Sequence, residues 1–139
     1  MEMINKYEFA ELLLRIFCGI VFLFQGYDKL FKLKISGVTE SFQVNAQKHH
    51  IPSFVLTMVA AFTSFAEFFG GLLLILGLFK LYALAFLGFD LILVAIAFSL
   101  LEPVWDMRHV FPRLLMIIAL LVMPYEWGRF SLDYFLKLN

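Results

Sequence analysis

The chain has 139 residues, room for one domain, and is 63% hydrophobic and 16% charged, against about 45–50% and about 25% in ordinary soluble domains. A soluble chain this short keeps much of its surface in water and cannot hide so many apolar side chains, so composition excludes a water-soluble fold and makes lipid the solvent. The formal net charge is zero and there is one cysteine, Cys18, which excludes a global field for gathering nucleic acid and an internal disulfide or dithiol centre.

A helix rising about 1.5 Å per residue needs about 20 residues to cross a hydrocarbon core of about 30 Å. Four apolar segments, residues 9–31, 54–79, 81–101 and a shorter 110–127, are the expected crossings. Backbone groups must be paired in lipid, so these are helices. Lys6 ahead of the first segment suggests a signal peptide, but Arg15 interrupts the run. The following Gln25-Gly26-Tyr27-Asp28-Lys29 offers no small-residue cleavage site, so the segment is expected to be retained. Arg15, Gly19, Phe22, Gly26 and Lys29 fall on one helical stripe. The small residues on it admit a neighbouring backbone, and Glu11 lies one turn before Arg15 as its pair. Cys18, in a wholly apolar run, reads as packing.

Residues 32–51 are polar but carry Ile35, Val38, Phe42 and Val44; Gly37 and Pro52 bracket a short helix expected at the membrane surface. His49-His50 has no third ligand at a useful spacing, so no metal site is expected. In the second crossing Ala60, Thr63, Ser64, Glu67, Gly70, Gly71 and Leu74 share a face. Lys80 marks a tight turn, which makes the second and third crossings antiparallel neighbours. Asp90, midway along the third with Ala83, Phe86 and Ala97 on its side, then lies at the depth of Glu67. Glu102-Pro103 stops the third helix. Asp106, Arg108, His109 and Arg113 read as a solvated loop, Trp105, Tyr125 and Trp127 as an aromatic belt, and residues 128–139 as an interfacial tail. The termini share a side with Lys80, and the other side carries a small excess of Lys and Arg, which weakly favours it as cytoplasmic.

Charge inside a membrane costs about 2.5–3.5 kcal/mol per group on the lenient scale and asks for a reason. The expected arrangement is an ion pair of Arg15 with Glu67 beside a protonated Asp90. With Gln25 and Lys29 these residues form a candidate polar pocket offering donor and acceptor to a small polar ligand such as a quinone headgroup. The alternative is that they satisfy each other and hold the bundle in register, with Gly19, Gly26, Gly70 and Gly71 serving helix packing. No phosphate loop, dinucleotide fingerprint, nucleophile elbow or zinc spacing is present, so no catalytic nucleophile is identified.

Several stretches resemble the DoxX family of small bacterial membrane proteins. They are the Arg15-led first helix ending in Gly26-Tyr27-Asp28-Lys29, Gly37 followed by Ile51-Pro52, Glu67-Phe68-Phe69-Gly70-Gly71, and Gly128-Arg129-Phe130-Ser131-Leu132-Asp133. Gln25 stands where histidine is often expected, and Asp90 lies outside the pattern. The resemblance implies an all-α fold, an integral membrane four-helix bundle with a short interfacial helix between helices 1 and 2, as one domain over residues 1–139. It also implies a multi-pass place in the bacterial cytoplasmic (inner) membrane and a link to quinone-linked redox chemistry. With no electron-carrying motif of its own, the chain would serve as an accessory oxidoreductase subunit beside a membrane or peripheral protein partner. The alternatives are a non-enzymatic scaffold or assembly subunit and a lipid or small-solute carrier. Beyond the lipid bilayer and such a partner, no nucleic acid is expected.

Overall fold

The computed structural model describes residues 5–101 and 104–138, the side chains of 104–106 excepted, and in these residues it is helical throughout with no strand. The helices are α1 (Lys6–Tyr27), α2 (Lys34–Lys48), α3 (Ser53–Leu76), α4 (Lys80–Leu101), α5 (Val110–Val122) and the short α6 (Leu132–Leu136). Three stretches are long and apolar enough to cross a membrane: Lys6–Lys32, Ser53–Leu76 and Lys80–Leu101. Phe17, Phe24, Phe54, Tyr82, Ile92 and Leu115, spread over all the long helices and α5, are more than half exposed. Such a surface is matched to acyl chains and not to water.

Local chemistry explains the boundaries. Asn5 caps α1 in a reciprocal box with Glu8, satisfying backbone donors that a helix start leaves unpaired. At its far end α1 runs on into one π-helical turn, Asp28–Lys32. Gly77 closes α3 in the left-handed conformation at φ 64°, its N–H donating to Leu74 and Leu73 carbonyls.

Packing follows from small residues. α1 and α3 are antiparallel and meet backbone to backbone: a Cβ on Gly26 would lie 2.3 Å from Phe68 N, and one on Gly71 would lie 2.4 Å from Leu23 N. The buried stripe of α1 (Glu11, Arg15, Cys18, Gly19, Phe22, Gly26) contains the expected one except Lys29, and all seven residues of the expected α3 face are buried. Gly70 abuts Leu87 of α4, and Phe62 stacks edge-on with Phe86 and Phe89. Cys18 is buried in the apolar core.

Four expectations need correcting. The fourth apolar segment forms a helix of only 13 residues, because Met123 and Pro124 are extended and a 3-10 turn, Tyr125–Gly128, follows. At about 1.5 Å per residue that is about 20 Å, short of a full crossing. Gly37 lies inside α2 instead of bounding it. Phe86 is 44% exposed, and the side of α4 buried with Asp90 is Ala83, Leu87, Leu91 and Val94. Lys80 is more than a turn marker, since its side chain is buried. Glu102-Pro103 and the side chains of Trp105 and Asp106 lie outside the described residues.

Candidate functional site

The buried charges form two separate layers, one where α3 ends and α4 begins, the other near the middle of α3 and α4 and at the far end of α1. In the first, Arg15 spends its guanidinium on three segments. Nε pairs with Glu11 at 3.2 Å, Nη1 donates to the carbonyls of Leu74 (2.8 Å) and Ile75 (3.0 Å), and Nη2 donates to Phe130 O at 2.9 Å. These carbonyls belong to the last turn of α3, the end of a helix where a cation is favoured. Lys80 Nζ donates to Glu11 Oε1 at 3.1 Å. From the tail, Asp133 accepts from Phe79 N and Lys80 N, both at 2.7 Å, so its carboxylate caps the start of α4. Ser131 caps α6 and donates to Gly128 O at 2.6 Å. The pairing of Arg15 with Glu11 is as expected from sequence. The pairing of Arg15 with Glu67 is not formed.

Glu67 belongs to the second layer. It is fully buried on α3, with Lys29 Nζ of the π-helical turn 2.7 Å from Oε2 and Arg113 Nη1 of α5 3.7 Å from Oε1. Arg113 is itself buried, its Nε donating to His109 O at 2.6 Å and its Nη1 to Gln25 Oε1. Its guanidinium lies 6.0 Å from the Phe22 ring centre, within cation–π reach. Asp90 reaches this layer as expected. Gly70 faces Leu87 across antiparallel α3 and α4, which puts Glu67 and Asp90, three residues away in opposite directions, at the same level. Asp90 is fully buried, feels the charges of Glu67, Lys29 and Arg113, and has no hydrogen-bond donor on either oxygen among the described residues.

The structure thus sets Gln25, Lys29, Glu67 and Asp90 in one layer and Arg15 in the other. Sequence reasoning missed Arg113, which was assigned to a solvated loop. The available signal was that Arg113 is the one ionisable residue in the apolar run 110–122. His49 and His50 are both exposed at the end of α2.

Above this layer lies a cavity of about 610 Å³, within the range of small-molecule sites. Gln25, Lys29 and Arg113 line it, with Thr39 and Thr63 as hydroxyl groups and Arg108 and His109 at the α5 end. Val38 and Phe42 of α2 and Val94 and Phe98 of α4 supply apolar wall, Phe42 packing edge-on to Phe98 at 5.8 Å. Among the described residues no carboxylate lines the cavity; Glu67 and Asp90 stand behind the cations. The lining is therefore rich in donors, and suited to an oxygen-bearing acceptor group with an apolar body.

No curated protein and no solved structure gives a significant match. The DoxX family model matches residues 10–100, well over half of the chain. That span runs from the second turn of α1 to the last turn of α4 and includes Gln25, Lys29, Glu67 and Asp90, while Arg113 lies beyond it. The chain belongs to the DoxX family and is a multi-pass membrane protein.

Proposed function

We propose that this DoxX-family protein is an accessory subunit of a membrane redox system and holds a quinone or quinol headgroup in the cavity beside Glu67. One observation carries the reading: a roomy, mostly apolar cavity within the helices has three convergent polar groups, Gln25, Lys29 and Arg113, at one place on its wall. Those residues fit a quinone. A buried arginine, a part-buried lysine and an amide can donate to carbonyl oxygens, and the apolar wall suits a flat ring. Arg113 occupies Gln25 Oε1, which leaves the Nε2 donor of that amide to a ligand. Glu67 holds both cations in place from behind, as a supporting partner fixes the groups that touch a ligand. A quinone, when bound, supplies exchange of electrons and protons, and a partner protein is the electron donor or acceptor.

In the same reading α5, lengthened by the 3-10 helix Val104–His109 that leads into it, completes a fourth crossing, α2 lies at the membrane surface over the cavity, and the membrane is the bacterial inner one. The test is native mass spectrometry of protein gently extracted with its lipids, followed by titration with a short-chain quinone in nanodiscs. Quinone is expected on the wild-type protein and is expected to be lost in a folded Arg113→Met variant. A cavity that retains no quinone from the membrane and takes up none on titration sinks the reading.

A further inference from the structure

The cavity extends well past the headgroup position, and its shape selects the rest of the ligand. Along α1 its wall is the ridge Phe17, Val21, Gln25, Lys29. These residues lie one turn apart and pass from apolar to polar over about 18 Å of helix. On α5 the sense is the same, with Met116 deeper than Arg113 and His109 nearer the helix start. Under α2 the wall is mixed, with Thr39 and Thr63 among Val38, Phe42 and Phe98, and from the polar groups on α1 and α5 it turns apolar toward the middle of the α1 crossing.

On α1 and α5 the cavity wall is made of residues that keep exposed surface, Phe17 at 60% and Pro112 exposed, with Val21 and Met116 part-exposed. The α1–α3 seam is shut by backbone contact at Gly19, Gly26 and Gly71. The α1–α5 seam is instead bridged by side chains, Gln25 to Arg113 and Arg113 over Phe22. Side chains can move aside on loading where packed backbones cannot.

We infer that the cavity takes an amphiphile with one long apolar tail, loaded sideways from the bilayer through a portal between α1 and α5 rimmed by Phe17, Val21, Pro112 and Met116. The head, held at Gln25, Lys29 and Arg113, rests on the quinone reading above; the tail and the route go beyond it. The tail follows the α1 ridge toward the middle of the membrane, where leaving lipid for an apolar wall carries no desolvation cost.

The experiment uses the full chain in nanodiscs and two probes, a benzoquinone bearing a long alkyl tail with a diazirine partway along that tail and the same benzoquinone without a tail. Photolabelling of wild-type protein by the tailed probe is expected on peptides holding Phe17 and Met116. A Met116→Trp variant, which narrows the rim without touching the headgroup contacts, is expected to slow loading of the tailed probe by about tenfold or more. Loading of the tailless probe is expected to be unchanged. Labels confined to α3 and α4, equal slowing of both probes, or exclusion of the tailed probe while the tailless one binds each overturn the portal and leave the headgroup reading standing. Binding of neither probe to wild-type protein removes both.

Discussion

Lys29 Nζ lies 2.7 Å from Glu67 Oε2 across the α1–α3 seam, while Arg113 approaches the other oxygen from α5 at 3.7 Å. One buried carboxylate therefore ties three helices and balances two cations. The same layer holds a second acid, Asp90, which has no hydrogen-bond donor on either oxygen among the described residues.

These two acids are expected to respond to neutralisation to very different extents. Glu67→Gln leaves buried Arg113 and part-buried Lys29 without a contacting anion, and breaking a buried pair this way costs about 3–5 kcal/mol. Asp90→Asn removes no direct partner, and is expected to change stability by about 1 kcal/mol or less. Unfolding of both variants by graded detergent denaturation, in one lipid background, measures the contrast. Equal losses from the two substitutions would show that Asp90 is held as firmly as Glu67.

The glycines at the α1–α3 seam carry a second prediction. A methyl on Gly71 meets Leu23 N at 2.4 Å and Gly19 O at 2.7 Å, and backbone on both sides cannot give way as a side chain does. Gly71→Ala is expected to push the helices apart and destabilise by about 1–3 kcal/mol, the usual cost of overpacking. At Gly37 the nearest atom is Leu33 Cβ at 3.7 Å, so Gly37→Ala, inside α2, is expected to be neutral or stabilising by helix propensity. Thermal melting of the two variants side by side provides the check.

That seam was legible in the sequence because helical spacing and small residues are local properties. Gly19, Gly26, Gly70 and Gly71 could be assigned to packing from their own helices alone. The partner of Arg15 could not. Both Arg15 and Glu67 lie on facing stripes, and only the register of antiparallel α1 and α3 decides whether they meet. With Gly26 set against Phe68, Arg15 lies eleven residues back, about 16 Å down the axis, and reaches the C-terminal carbonyls of α3 instead. Arg113 was hidden by its company, since Asp106, Arg108 and His109 make its surroundings look solvated. The cover that α2 provides over the cavity depends on a tertiary contact, Phe42 on Phe98, that its weakly amphipathic sequence does not name.

The tail supplies a third prediction. Asp133 accepts two short backbone bonds at the start of α4, from Phe79 N and Lys80 N, and Phe79 itself sits at φ 49°, a conformation that costs a non-glycine residue about 1–3 kcal/mol. Asp133→Ala orphans both donors and is expected to cost about 1–2 kcal/mol, the range for loss of a helix cap. Asp133→Asn keeps one acceptor oxygen and is expected to recover part of the loss. Hydrogen exchange at Phe79 and Lys80 reports the site directly; unchanged protection in Asp133→Ala would refute the capping role.

The two charged layers can be separated by changing one arginine in each. Arg15 uses a planar fork to reach Glu11, two carbonyls of α3 and Phe130 O. A lysine offers one compact ammonium on a flexible stem and cannot span those directions. Arg15→Lys is therefore expected to lower stability, by about 1–3 kcal/mol for the charged hydrogen bonds it forfeits, and to loosen the tail at Phe130. It does not touch the cavity, so quinone retained by the folded fraction should match wild type. Arg113→Met keeps the Lys29–Glu67 pair and so retains part of its layer's stability, yet removes a donor from the cavity wall. Quinone retention is expected to fall about tenfold or more, the effect of about 1.4 kcal/mol or more in binding. Melting temperature and bound quinone, read on the same nanodisc samples, decide the matter. If Arg15→Lys releases the ligand as fully as Arg113→Met, the layers act as one unit and the assignment of binding to the Glu67 layer fails.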